Sequence, residues 1–152
     1  MILEKIAHRN VVTIPQGASM EIAAKTMRDQ HVGCVIVIEE KGLKKIPVGM
    51  ITDRDIVVST SAFGIAPKSV SVSDVMSATL VTARKNDSFN HVLMLMKEHG
   101  VKRIPIVDSE GALFGIVTTH ELMGVLVDEL NVLIQVTERQ HQVESDRRPR
   151  LT

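Results

Sequence analysis

Short runs of β-branched residues alternate with stretches in which apolar side chains recur every three or four positions, and the whole order occurs twice. Met20, Ala23, Ala24 and Met27 fall on one helical face, after a break at Pro15 to Gly17 and with Ser19 placed to cap. The continuous run Val35 to Ile38 then reads as a buried strand. A turn over Glu40 to Gly42 leads to a second apolar strand, Pro47 to Ile51, and a helix begins near Asp53. The second unit starts at Asn86-Asp87-Ser88, carries the stripe Phe89, Val92, Leu93 and Met96, and stops at Gly100. The run Ile104 to Val107, a turn over Asp108 to Gly111, the strand Leu113 to Val117 and a helix from near Thr119 follow. A short extended segment heads each unit, so both read β-α-β-β-α. The expected class is α+β.

The two units start 69 residues apart (Val12-Thr13 and Val81-Thr82) and close 66 apart, because the first has the longer Lys-rich turn, Glu39 to Ile46 against Ser109 to Ala112. Related units of this size fold against each other, and the seam between them is a natural ligand site. Ser59 to Ser73, with Gly64, Pro67 and several serines, reads as a surface connection, and Val72 to Met76 as a short amphipathic turn packing it. The last helix carries Leu122, Leu126, Leu130, Leu133 and Val136 past the end of the repeat, to about Arg139. Its extra turns need cover, from a second copy of the protein or from the N-terminal Ile2, Leu3 and Ile6. The expected division is a first repeat over 8–60, a linker over 61–73, a second repeat over 74–126, a helical extension over 127–139 and a mobile polar tail over 140–152.

Composition narrows the function classes. With 44% hydrophobic residues the chain has material for a core, and 18 basic residues balance 18 acidic ones, giving no global pull toward nucleic acid or anionic membrane. Cys34 is the single cysteine, which excludes a disulfide framework and a multi-cysteine zinc site. Glu4, Lys5, His8 and Arg9 interrupt the N-terminal apolar residues, against a signal peptide, and no apolar run has membrane-spanning length. A cytoplasmic protein is expected.

The most specific chemistry lies in two closing motifs of the form Gly-x-x-Thr-x-x-acid at strand-to-helix junctions: Gly49-Met50-Ile51-Thr52-Asp53-Arg54-Asp55 and Gly115-Ile116-Val117-Thr118-Thr119-His120-Glu121. A glycine admits close backbone approach by a ligand. A threonine hydroxyl and free amides at a helix start hold phosphate or hydroxyl oxygens, and a carboxylate one turn in accepts two hydrogen bonds from a ribose diol. The bland alternative is that Thr52 and Thr118 are N-caps whose acids favour the helix dipole. Duplication in matching positions favours the ligand reading.

These endings, the strand run Val101-Lys102-Arg103-Ile104-Pro105-Ile106-Val107 and the linker element Val72-Ser73-Asp74-Val75-Met76 resemble a tandem cystathionine-β-synthase (CBS) domain pair, or Bateman module, nearest the small stand-alone bacterial form. The resemblance covers residues 8 to 125. It implies two CBS repeats packed through their sheets with pseudo-two-fold symmetry, association into a disc-like homodimer, and two clefts for adenosine-containing ligands. AMP, ADP or ATP lead, with S-adenosylmethionine and NAD(H) as further choices; no cofactor is required. Carried over, one cleft combines Thr52 and Asp55 with Thr79, Leu80, Val101, Lys102, Arg103 and Ile104. The other combines Thr118 and Glu121 with Asn10, Val11, Val32, Gly33, Cys34 and Val35.

The clefts are not expected to be equal. Asp55 matches the aspartate usual in such pairs, Glu121 is longer, and Lys102 and Arg103 put cations beside the first cleft where Gly33 and Cys34 put none. The Asp55 cleft is therefore expected to be the stronger. With no Trp or Tyr and three Phe, adenine would rest between aliphatic side chains. The six histidines read as surface or capping residues, the methionines as packing and Cys34 as a small buried hydrophobe. No Gly-x-x-x-x-Gly-Lys-Ser/Thr, Gly-x-Gly-x-x-Gly or Gly-x-Ser-x-Gly motif occurs. The expectation is a non-enzymatic regulator signalling to a downstream protein. Its rivals are a dimerisation module with vestigial clefts, and nucleic-acid binding through Lys41 to Lys45 and the Arg147 to Arg150 tail.

Overall fold

The computed structural model describes residues 1–148. Two three-stranded sheets repeat one topology. In the first, β1 (Thr13–Pro15) pairs parallel with β2 (Cys34–Lys41), which pairs antiparallel with β3 (Lys44–Thr52). In the second, β4 (Ala83–Arg84), β5 (Arg103–Val107) and β6 (Leu113–Thr118) do the same. Helices α1 (Met20–Gln30) and α4 (Phe89–His99) make the parallel crossovers, while α2 (Asp53–Ser59) and α5 (Thr119–Arg147) leave the last strands. The α+β repeats are as expected.

Local chemistry sets the boundaries. The Ser19 and Ser88 hydroxyls accept from the Ile22 and His91 amides and start α1 and α4. Gly100 ends α4 at φ 64°, and His31 takes the same left-handed turn after α1 at φ 54°. The β2–β3 hairpin closes on Gly42 and Leu43, so both strands extend beyond the apolar runs into the Lys-rich segment. Within α4 the leucine packed on the core is Leu95, whereas Leu93 is 42% exposed.

Each repeat is completed by the segment that leads into the other. Leu3, in a 3-10 turn, has no exposed surface and sits in the second core with Val92, Ile104, Val117 and Leu122. Val72, 69 positions later, opens the short helix α3 (Val72–Val75) and is buried in the first core with Met20, Val35 and Ile51. Backbone bonds fix both crossings: the Leu3 and Glu4 amides donate to the Asp87 and Lys85 carbonyls, and the Met20 and Val72 amides to those of Val70 and Ala18. Val72 to Met76 thus belongs to the first repeat's core, beyond packing the linker.

Helix α5 continues to Arg147, past the stop expected near Arg139 and through the segment read as a mobile tail; Pro149 to Thr152 lie outside the described residues. Gln140 reaches Glu144 one turn on, and Arg139 pairs with Gln142, the kind of local link that sustains an exposed helix. The N-terminal segment covers only the start of α5, where Leu3 and Ile6 pack around Leu122. Leu126, Leu130, Leu133 and Val136 are 48%, 58%, 63% and 59% exposed.

Because Leu3 fills the second core from the opposite side of the repeat boundary, Leu3→Ala should cost about 2–5 kcal/mol. At roughly 2–4 °C per kcal/mol, its thermal midpoint should fall by several degrees or more in one cooperative transition. A change below about 1 kcal/mol in denaturant unfolding would contradict this packing.

Candidate functional site at the seam

Strands β3 and β6 run against each other where the repeats meet. At one end Lys44 Nζ lies 2.8 Å from Glu110 Oε1, joining the two hairpins; the pair is exposed and contributes little. Two cavities open at this seam, of about 150 and about 220 Å³. A larger groove of about 490 Å³ lies away from it, among Thr82, Arg84, Asp87, His91, Asp108 and Gly111. Volume alone favours that groove, but its position on one repeat matches neither closing motif.

The smaller seam cavity brings together Thr52, Asp55, Thr79, Leu80, Val101 and Arg103, with Met50, Ser77 and Val81 besides. Lys102 is exposed and Ile104 is fully buried in the second core, so neither joins this wall. Side chains alternate along β5 and its approach, so the face bearing 101 and 103 excludes 102 and 104. The larger cavity brings together Asn10, Val11, Val32, Gly33, Cys34 and Thr118, and adds His8, Ile36 and Ile116. Val35 faces the first core by the same alternation, and Glu121 stands off the wall. Arg103 lines this cavity too. That shared cation was not foreseen, and neither was the greater volume on the Thr118 side.

Both closing motifs form capping boxes. The Thr52 amide donates to Asp55 Oδ2 at 2.8 Å, and the Asp55 amide donates to Thr52 Oγ1 at 3.2 Å. Asp55 Oδ1 has no protein partner among the described residues, so a capping acid can also face the cleft. Glu121 is more committed: its Oε2 accepts from both the amide and the hydroxyl of Thr118. Burial pushes this carboxyl up, but the Thr118 side-chain and backbone bonds, the Glu121 amide and nearby His120 together hold it below the usual range. A lowered carboxyl stabilises the fold above its unfolded pKa and loses that contribution as pH falls through the folded value.

The motif glycines serve the fold. A Cβ on Gly115 would sit 2.8 Å from the His8 carbonyl oxygen and 3.1 Å from Ala7 Cβ; one on Gly49 would sit 2.9 Å from Met76 Cβ. Ala7 and Met76 are 69 apart, so each glycine admits the lead-in segment of the opposite repeat. The approach expected of a ligand is made here by the chain itself. The 69-residue offset of Leu3 and Val72 was the signal available for this in the sequence.

The pattern of the CBS domain family matches residues 3–59 and 72–128, with the same 69-residue step. The chain belongs to the CBS domain family. It is a tandem CBS pair, and the lead-in segments fall inside the matched ranges. An uncharacterized protein of Methanopyrus kandleri is 37% identical over 80% of this chain and 60% of its own length, so the CBS pair spans under two thirds of that relative. The CBS domain-containing protein YhcV of Bacillus subtilis is 38% identical over 74% of this chain and 76% of its own. Among solved structures, Hypoxic Response Protein I with two coordinated zinc ions superposes with a TM-score of 0.69 at 26% identity, covering 81% of this chain and 97% of that one. A CBS domain protein of Pyrobaculum aerophilum complexed with AMP gives 0.71 at 18% identity, covering 80% and 89%, and so shares the fold. Among the described residues of this CBS pair, no three His, Cys, Asp or Glu side chains form a metal-holding group. No described helix is long and apolar enough to cross a membrane.

Cys34 reports on one cleft. Burial pushes its thiol up to about 11, against the pull of the Arg103 charge and with a further push from Asp55 and Asp53. Since the thiolate is the nucleophile, alkylation by iodoacetamide should be slow at pH 8 and accelerate toward pH 11 in the folded protein. Rapid modification at pH 7 would contradict this environment.

Proposed function

We propose that this CBS pair is a non-enzymatic regulatory module that binds an adenosine-containing ligand, AMP, ADP or ATP first, in the seam clefts. The observation that carries the reading is that both closing threonines line separate cavities at the repeat boundary, each completed by residues of the opposite repeat. Asp55 Oδ1 and the Thr52 hydroxyl supply a ribose diol with an acceptor pair at the end of β3. Neither cavity is lined by a Phe, so the base packs between Leu80 and Val101, or between Val11, Val32 and Ile36, with backbone groups reading its edge. The AMP complex of the Pyrobaculum relative supports the ligand class as a precedent within the fold.

At about 150 and 220 Å³ the clefts fall below the roughly 300–1,000 Å³ of a full small-molecule pocket. Accepting a nucleotide therefore opens the seam between β3 and β6, a movement that α2 and α5, which leave those strands, carry outward. Differential affinity for closed and opened seams is what lets a ligand shift the packing of a homodimer. The exposed apolar residues of α5 give the alternative, a dimerisation module with vestigial clefts, its own support.

Thermal unfolding separates the two. AMP at 100 times its dissociation constant should add about 2.7 kcal/mol, a midpoint rise of roughly 5–10 °C. Asp55→Ala should weaken binding at least about tenfold, by loss of charge-assisted bonds, and more than Glu121→Ala, whose acid is held by Thr118. No rise with AMP, ATP, S-adenosylmethionine or NADH, in a protein that still dimerises, would favour the alternative.

A further inference from the structure

The groove of about 490 Å³ on the second repeat has the size of a small-molecule pocket, and the seam reading makes no use of it. Arg84, Asp87, His91, Asp108 and Ser109 line it. The residues 69 positions earlier are Pro15, Ala18, Ile22, Glu39 and Glu40. The backbone around the two sets is matched: Arg84 stands opposite Val107 as Pro15 stands opposite Ile38, and Ser88 and Ser19 cap the helices that follow. One scaffold thus carries apolar and acidic residues in the first repeat and groups of both charges in the second.

Two carboxylates are fixed there with an oxygen to spare. Asp87 Oδ2 accepts from the Arg84 amide at 2.8 Å, and His91 Nε2 lies 3.7 Å from the same oxygen. Asp108 Oδ1 accepts from the Glu110 and Ala112 amides at 2.8 and 3.0 Å. Those two amides, with the Lys44 and Lys85 charges and against slight desolvation, hold the Asp108 carboxyl below the usual range. Asp87 Oδ1, Asp108 Oδ2 and the Arg84 guanidinium have no protein partner among the described residues. Two carboxylates repel a phosphate, and Arg84 repels a simple cation. A metal ion is also poorly served, since no three His, Cys, Asp or Glu side chains among the described residues form a group for one. A ligand carrying both charges meets complementary groups at both ends.

We propose that this groove binds a free α-amino acid, its ammonium held by Asp87 and Asp108 and its carboxylate by Arg84. The planar guanidinium fork suits a carboxylate, and an ammonium has three donors to divide between two acids. The site is separate from the seam clefts and independent of what binds there.

The test begins with thermal unfolding of the full chain in each of the common L-α-amino acids at about 10 mM, tenfold above a dissociation constant of about 1 mM. At least one should raise the midpoint by roughly 3–6 °C; no rise with any of them overturns the proposal. For an amino acid that binds, calorimetric titration should find its N-acetyl derivative and its amide each weaker by about tenfold or more. Arg84→Gln and Asp108→Asn should each weaken the amino acid by a similar factor; Arg84 is exposed, and Asp108→Asn keeps the oxygen that the Glu110 and Ala112 amides use. AMP affinity should be unchanged by Arg84→Gln. Should a variant unfold, amide resonances of the unaltered protein decide: those of residues 84–91 and 108–111 should shift with the amino acid, and those of 52–55 should not. Undiminished binding in either variant or by either derivative, or shifts centred on the seam, would overturn the proposal and leave nucleotide binding as it stands.

Discussion

The exchange of lead-in segments is the constraint on which the rest depends. Leu3 is buried in the second core and Val72 in the first, so neither repeat has a complete interior without a residue belonging to the other's approach. Small repeats bury too little surface to stand alone, and this reciprocal packing makes one cooperative body of two. It also sets the site. The segments that follow Leu3 and Val72 run along the seam to β1 and β4, and on the way they present Asn10 and Val11, or Thr79 and Leu80, to the clefts. Gly49 and Gly115 let those segments pass close to β3 and β6. The clefts lie at this seam, each walled in part by one of those segments.

The capping boxes show how one residue serves fold and site together. Thr52 and Asp55 close a helix start whose amides would otherwise lack partners, and Asp55 also lines the cleft, its Oδ1 without a partner among the described residues. Glu121 has the extra methylene that lets its carboxylate wrap onto the Thr118 hydroxyl, and it leaves the wall to Thr118. The larger volume lies on the Glu121 side and the better-placed acid on the Asp55 side, so the two clefts differ in kind. Arg103 lines both.

Much of this was legible in the residues. Continuous β-branched runs placed the strands and period-3.6 patterns the helices, and the serine and glycine signals placed most helix ends, because each rests on local chemistry. The cleft assignments erred where strand alternation was not applied: Ile104 and Val35 face the cores, and Lys102 faces solvent. Leu3 was read as cover for the last helix, which holds only at Leu122; its place in the second core acts across the repeat boundary, and only its 69-residue offset from Val72 betrays that. The length of α5 was underestimated because its last turns are sustained by polar neighbours such as Gln140 and Glu144, which carry no apolar stripe. Arg103 was placed in one cleft since a linear motif cannot reveal that a strand start lies between two sites.

The central claim is that an adenosine compound lies at the seam between the repeats. Amide hydrogen exchange with and without saturating AMP tests it most directly. The account predicts slower exchange at Thr52 to Asp55, Thr79 to Val81, Gly33 to Cys34 and Thr118 to His120, with the groove around His91 and Gly111 unchanged. Protection confined to that groove, or none at either closing motif, would contradict it.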